Sequence, residues 1–565
     1  MEKTWLKSYD PNVAHDVDLS EFNSLSDIIE TSCRRFAAQP AFTNMGKSLT
    51  YADINRLSEA FAAYLQHDLK LAKGSRVAVM MPTLLQYPVA IFGILRAGCV
   101  VVNVNPMYTP RELQHQLTDA GVTTLVILEN FAHTLESVMN QVPVENVITT
   151  QIGDQLAFPK SLITNFVVKR VKKMVPDFSL PGAIKFNDTL TRGAQHRLQE
   201  VSLTHDDLAF LQYTGGTTGV AKGAMLSHGN LVANLLQSAA WLVNETREGE
   251  EVIITALPLY HIFSLTANCL TFMKFGGENV LITNPRDFPA FVSELSKHNF
   301  TAITGVNTLF NALLQTPGFD KLDFSHLRLT LGGGMAVQRA VAEKWQEVTG
   351  KPLVEAYGLT ETSPAACINP MSMQSYTGSI GLPISSTIVT VRDDDGELLP
   401  QGEVGEICIS GPQVMQGYWN REEATREVMT SDGALRTGDM GRIDERGYTF
   451  ITDRKKDMIL VSGFNVYPNE LEDVAVMHAG VSEAAAIGIP DDKSGEVVKL
   501  FVVCTDTSVT PEAVKAHCKE HLTGYKIPRF IELRDELPKT NVGKILRREL
   551  RDEELAKLKA ASGGG

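Results

Sequence analysis

Residues 76–106 read "RVAVMMPTLLQYPVAIFGILRAGCVVVNVNP", and this stretch decides the fold class. "RVAVMMP" is a short continuous apolar run without polar alternation, the pattern of a strand covered on both faces. "VAIFGILRAG" carries apolar residues at helical spacing and closes on a glycine. "CVVVNVNP" is a second continuous strand. Strand, helix and strand in that order imply a parallel sheet with helices packed on it. The run from Tyr87 to Pro106 is tempting as a membrane span, but Gly93, Arg96 and Gly98 interrupt it. It falls short of the roughly 20 apolar residues a span needs.

The same texture extends outward. The helix pattern "LTYADINRLSEAFAAYLQ" precedes the stretch, and "EVIITALPL", "TAITGV" and "LRLTLGGG" follow as further buried strands. From about residue 378 the texture changes: "STIVTVRDDDGELLPQGEVGEICISGP" has short strands, acidic turns and glycines, which predict a small antiparallel unit or barrel over 378–452. After "ITDRKKD" come helix "NELEDVAVMH", strands "AAAIGIP" and "VKLFVVC", and helix "PEAVKAHCKEHL", the pattern of a compact α+β domain. The expected division is 1–452, a hinge at 453–457, and 458–565, ending in a flexible "ASGGG" tail.

Composition bounds the function. The chain has 565 residues, enough for several units that each bury a core. Lys and Arg number 52 against 66 Asp and Glu, a net −14, which argues against a general nucleic-acid binder. Seven scattered cysteines without a CxxC pair predict neither a disulfide framework nor a zinc site, and fit a reducing cytoplasm. The polar start "MEKTWLKSYDPN" is not a signal peptide.

One local departure from the acidic balance stands out. Residues 160–176, "KSLITNFVVKRVKKMVP", hold Lys160, Lys169, Arg170, Lys172 and Lys173 without an acid, and Phe166, Val167, Val171 and Met174 form an apolar stripe. A solvated helix face and a membrane-surface helix are both consistent with that pattern.

Residues 213–223, "YTGGTTGVAKG", carry bare backbone, hydroxyls and one lysine. Glycines let N–H groups converge on one point, Thr214, Thr217 and Thr218 add hydroxyl donors, and Lys222 adds a point charge. Such a loop suits a polyphosphate. It is not the ordinary P-loop, which ends Gly-Lys-Ser/Thr, because Lys222 follows Ala221 and precedes Gly223.

Four further motifs follow in order: "EAYGLTET" at 355–362, "RTGDMGRIDERGY" at 436–448, "DRKKDMILVSGFNVYPNELE" at 453–472 and "PKTNVGKILRREL" at 538–550. This ordered set, from about residue 25 to 552, resembles the adenylate-forming superfamily of acyl-CoA synthetases, luciferases and adenylation domains. Within it the motifs look most like bacterial long-chain fatty-acid–CoA ligases. The resemblance implies an α/β fold with two α/β layered subdomains plus a small β-barrel, and a mobile small α+β C-terminal domain. It implies a ligase of fatty-acid uptake and β-oxidation that makes acyl-CoA, AMP and pyrophosphate through an acyl-adenylate. ATP, Mg²⁺ and coenzyme A are its cofactors and co-substrates, and nucleic acid is not a partner. The alternatives are a ligase for medium-chain or other acids, and an acyl-AMP ligase that hands the acyl group to a carrier protein. The latter typically carries an insertion at the start of the small domain, and none is visible between Asp457 and Pro468. A cytoplasmic place with peripheral contact at the inner membrane follows from the substrate, and homodimers are common in the family.

The resemblance also assigns residues. Tyr213, Thr214, Gly215, Gly216, Thr217, Thr218, Gly219 and Lys222 would cradle the β- and γ-phosphates. Glu361, with Thr217, matches the Mg²⁺ position. Tyr357 would stack on adenine, with Gly358 beside it, and Thr360 would contact the α-phosphate. Gly332, Gly333 and Gly334 form the turn beside adenine and the acyl carboxylate. Asp439 would accept from the ribose hydroxyls, Arg454 would approach ribose or phosphate, and Asp453 is the hinge position. Lys544 matches the lysine of adenylation. Gly463 would leave room for pantetheine, and His261 matches a gate near the acyl carbonyl. Phe263, Thr304, Gly305 and Val306 are expected in the wall of the acyl channel.

Overall fold

The 76–106 stretch folds as read. In the computed structural model, strand Arg76–Met80 leads through helix Gln86–Arg96 to strand Val100–Asn103, and the two strands pair in parallel with Arg76 opposite Val100. The structure describes residues 3–214, 221–462, 464–491, 494–506, 508–540 and 543–562, with side chains to 557. Every residue of helix Gln86–Arg96 is buried, as expected of a helix apolar all round. Arg96 is tolerated there because its guanidinium donates to Asn55 O at 3.0 Å, Asn55 Oδ1 at 3.1 Å and Ser58 Oγ at 3.0 Å. Gly93 lets this helix lie against helix Tyr51–His67: a Cβ there would stand 2.7 Å from Phe61 Cδ1. The latter helix starts in a capping box, Asp53 N donating to Thr50 Oγ1 at 3.1 Å and Thr50 N to Asp53 Oδ2 at 3.2 Å.

Among the described residues the chain forms four sheets. The seven-stranded sheet orders Ile184–Lys185, Asn146–Thr150, Thr124–Leu128, Arg76–Met80, Val100–Asn103, Leu208–Thr214 and Lys222–Ser227, all parallel except the last pair. The nine-stranded sheet has a parallel interior. Its neighbours Val252–Thr255, Ala302–Gly305, Leu329–Gly333 and Val354–Gly358 run in one direction. The parallel strands are buried through, which is why they read as continuous apolar runs.

The antiparallel texture predicted after residue 378 is met by strands Ile388–Arg392, Gly405–Ser410, Leu435–Ile443 and Thr449–Arg454 in sequential antiparallel order. Val389, Ile407 and Ile409 pack this sheet onto Ala366 and Cys367 of the nine-stranded one. The last sheet, Phe464–Val466, Ile459–Val461, Gly495–Cys504, Val481–Asp491 and Phe530–Arg534, has its own core around Leu471, Leu500, Val502 and Val514. All seven cysteines are free. Among the described residues no helix is long and apolar enough to cross a membrane.

Candidate active site

The carboxyl ends of three adjacent parallel strands open onto one cavity. Thr304, Gly333, Gly334, Ala356, Tyr357 and Gly358 line it, the position where open α/β sheets bind ligands. The opposite wall comes from His261–Phe263 and the π-helical turn Ser264–Leu270, which contributes Ala267. Thr271, Phe272, Leu242, Leu329 and Leu331 extend an apolar arm, and Ser238 and Asn234 supply polar atoms along it.

Lys544 enters this cavity from the C-terminal domain. Its Nζ stands 4.0 Å from where a Cβ of Gly334 would lie. The tip that carries it is fixed by Gly543, at φ +84°, whose carbonyl accepts a hydrogen bond from Thr308 Oγ1 at 3.3 Å across the domain boundary. A Cβ at 543 would meet that hydroxyl oxygen at 2.6 Å. Burial, reinforced by Arg454, lowers the Lys544 ammonium to about 8, against the pull of Asp439 and Glu361. Burial, with the Lys544 charge second, also lowers the His261 imidazole to about 3, so this ring is neutral at physiological pH. His261 Nδ1 accepts from Phe263 N at 3.3 Å.

Asp439 and Arg454 face each other as register partners on adjacent antiparallel strands, Arg454 Nε 3.1 Å from Asp439 Oδ1. Tyr357 donates its hydroxyl to the other carboxylate oxygen at 2.5 Å. Asp439 is thus a buried acceptor held from two sides. Glu361 sits in the short turn Thr360–Thr362 and accepts from Tyr418 Oη at 2.6 Å. Lys222 Nζ lies over the Tyr418 ring, 5.2 Å from its centroid. A lysine, an arginine and a second lysine therefore converge on a site that also offers two carboxylates, an arrangement suited to an anion with a bound cation.

The domain junction is also built from charge. Asp453 is fully buried, and its two oxygens accept from Arg454 N at 2.7 Å and Asn469 N at 2.8 Å, so it ties the end of strand Thr449–Arg454 to helix Pro468–Val476. Burial raises its carboxyl to about 6. Arg547 reaches Glu472 through Nε at 2.8 Å, Asn469 through Nη2 at 2.5 Å and Asp457 at 3.7 Å.

Of the residues picked from sequence, His261, Gly333, Gly334, Tyr357, Gly358, Thr360 and Lys544 line the cavity, with Phe263 and Thr304 from the expected channel wall. Gly332 ends up in the adjacent strand, where a Cβ would strike Val337 Cγ2 at 2.7 Å. Three expectations need correction. Tyr213 is committed to the scaffold: its hydroxyl donates to Asp119 Oδ2 at 2.7 Å and its ring packs on Gly223. Gly305 is not a channel wall, because Phe310 and Leu309 fill the space beside it. Val306 instead flanks Gly334 and Gly543. Thr214 ends strand Leu208–Thr214 opposite Lys222. Gly215, Gly216, Thr217, Thr218, Gly219 and Gly463 lie outside the described residues. Sequence reading missed Tyr418, whose signal is the aromatic pair in the turn "GYWN" at 417–420, and Arg547, which reads as one of several solvated arginines.

Two family models fit these two bodies. One, described as AMP-binding enzyme, matches residues 29–419. The chain belongs to this family. The other, the AMP-binding enzyme C-terminal domain, matches residues 470–544 of this AMP-binding enzyme and ends on Lys544. The enzyme is 57% identical over 555 residues to a long-chain-fatty-acid–CoA ligase of Yersinia pestis, covering 98% of this chain and 99% of that protein. Its fold is similar to an anthranilate CoA ligase in complex with anthranoyl-AMP, with TM-score 0.84 and 25% identity over 96% of this chain and 100% of that one. It is also similar to ATP-bound MatB from Rhodopseudomonas palustris, with TM-score 0.77 and 27% identity over 94% and 99%.

Proposed function

We infer that this AMP-binding enzyme is a long-chain fatty acid–CoA ligase. The observation that carries the reaction is Lys544 of the small domain facing Gly334, His261 and Tyr357 at the head of an apolar cavity. The full-length likeness to the Yersinia pestis ligase supports the substrate class.

In the first half-reaction a fatty-acid carboxylate oxygen attacks the α-phosphorus of ATP. The bond to the pyrophosphate oxygen breaks and acyl-AMP remains. Lys544 holds the carboxylate and the α-phosphate together and offsets the charge that builds between them, the preorganised stabilisation expected of such a group. The loop Thr214–Gly219, including Gly215, Gly216, Thr217 and Thr218, holds the departing phosphates with Lys222. Tyr357 and Gly332–Gly334 flank adenine, Gly358 leaves space beside it, Thr360 meets the α-phosphate, and Asp439 accepts from the ribose hydroxyls with Arg454 beside it. Tyr213 acts through the scaffold. Glu361 fits Mg²⁺: it is a partly exposed hard carboxylate with one oxygen engaged by Tyr418, suited to an ion held mostly by phosphates and water. Thr217 is the second ligand on sequence grounds. Bound there, the ion neutralises phosphate charge.

In the second half-reaction the CoA thiol sulfur attacks the acyl carbonyl, the bond to AMP breaks, and the thiol proton leaves. His261, neutral and at the cavity wall, gates access to that carbonyl, and Gly463 leaves the passage for pantetheine. The small domain, 458–565, swings about 453–457 between the two steps on the body formed by 1–452, with Asp453 as the pivot. The enzyme works in the cytoplasm and meets its substrate at the inner membrane, alone or as a homodimer. With ATP, Mg²⁺ and palmitate but no CoA, it should accumulate palmitoyl-AMP and release pyrophosphate, and added CoA should discharge the adenylate to palmitoyl-CoA. Failure of CoA to do so, with a carrier protein succeeding, would replace this reading.

A further inference from the structure

Segment 157–174 inverts the usual logic of a surface helix. Helix Lys160–Phe166 continues into the π-helical turn Val167–Val171, and its polar side chains face the body. Asn165 accepts from Gly153 N at 2.7 Å and donates to Asp154 Oδ1 at 3.1 Å. Lys169 pairs with Glu129 at 3.0 Å, Lys160 donates to the Met45 carbonyl, and Asn130 donates to Met174 O at 3.0 Å. The apolar side chains face water: Phe158 is 80% exposed, Leu162 62%, Ile163 58%, Phe166 61%, Val171 63% and Met174 51%. A soluble surface does not normally concentrate large apolar groups in this way.

The charge around them is equally one-sided. Arg170, Lys172 and Lys173 are exposed and enter no ion pair among the described residues, on a chain whose net charge is −14. Apolar side chains that can sink into acyl chains, rimmed by free cations, match the interface of an anionic bilayer. A second copy of this chain, acidic overall, offers cations but no comparable apolar complement in the sequence of the patch itself, which would face its own positive charge.

We propose that residues 157–174 are the membrane-docking element, with Phe158, Leu162, Ile163 and Phe166 inserted among lipid chains and Arg170, Lys172 and Lys173 on anionic headgroups. The proposal rests on the ligase reading only for its purpose, since a long-chain acid is delivered from a bilayer.

The test is co-sedimentation of the full-length protein with vesicles of phosphatidylcholine, with and without phosphatidylglycerol. The parent should bind the anionic vesicles and lose binding in high salt. The triple variant L162S/I163S/F166S should lose at least about tenfold in partitioning, as expected for removing buried apolar side chains at an interface. R170E/K172E/K173E should lose the preference for anionic lipid. Both should keep the parent's ligase rate on acid presented in detergent, which also shows that they fold. Parent-like vesicle binding by both variants would overturn the assignment, as would a parent that ignores anionic vesicles while turning over palmitate. A parent that binds vesicles yet lacks ligase activity would leave the docking element standing and sink the ligase reading. A parent dimer that L162S/I163S/F166S dissolves, without vesicle binding, would give the patch to a second copy and overturn the lipid assignment.

Discussion

Lys544 and Gly334 meet across the boundary between the two matched bodies, the lysine Cε 3.5 Å and Nζ 4.0 Å from the place a Gly334 side chain would occupy. The captured geometry is therefore the one in which the small domain is closed for adenylation. Lys544→Ala should lower acyl-adenylate formation by about 10²–10³-fold, the typical loss when one preorganised donor is removed. Conversion of synthetic acyl-AMP and CoA to acyl-CoA should stay near the parent rate. Measuring both half-reactions separately checks this, and equal loss in both would place Lys544 elsewhere in the mechanism.

The Gly543 tip supplies an independent probe of the same closure. Gly543→Ala introduces a Cβ at φ +84° against Thr308 Oγ1, so the tip must retreat from the large domain. Adenylation should fall while the thermal midpoint barely moves, because the tip is exposed to solvent on its other side. Thr308→Gly/Gly543→Ala, which removes the clash, should recover part of the adenylation rate.

The depressed Lys544 fixes a pH limb. Because its ammonium is lowered to about 8, the charged form is lost as pH rises through that value. kcat/KM for ATP in the first half-reaction should fall about tenfold per pH unit above it, since that ratio reports the free enzyme. Lys544→Ala should lose the limb along with the rate.

Glu355 gives a stability limb of definite sign. Burial raises its carboxyl from 4.5 to about 8, and the Val337 N–H donated at 3.1 Å only partly opposes this. Between those two values the folded protein keeps a proton that the unfolded chain has lost, so folding weakens as pH rises through the window. Glu355→Gln mimics the neutral acid. Its melting temperature should match the parent at pH 5 and exceed it by a few degrees at pH 8.5.

Channel length is set on the wall of the π-helical turn. Ala267 is the one residue of Ser264–Leu270 that is not fully buried, and it lines the apolar arm. Ala267→Phe should lower kcat/KM for palmitate by at least about tenfold and for octanoate much less, as overfilling a pocket penalises the longer ligand. A uniform loss across chain lengths would put the acyl chain elsewhere.

The parallel layers were legible because buried strands such as Arg76–Met80 and Leu329–Gly333 cannot alternate polar and apolar residues. Lys544, Asp439 and Glu361 were legible because each sits in a short motif whose residues are neighbours in sequence. Tyr418 was not, since its contact with Glu361 joins residues 57 apart and exists only once the turn at Gly417 folds onto strand Lys222–Ser227. Gly305 and Val306 were misjudged for a similar reason: strand alternation gives two faces, and only the packing of Phe310 decides which one the cavity takes. The stripe at 160–176 was visible, but not that Asn165 and Lys169 hold the body while the apolar face looks outward.

The most direct test of the central claim is AMP release with ATP and Mg²⁺ across acids from acetate to oleate, each with and without CoA. The expected result is CoA-dependent turnover that peaks on long-chain acids. A peak on short or aromatic acids, or AMP release indifferent to CoA, would contradict it.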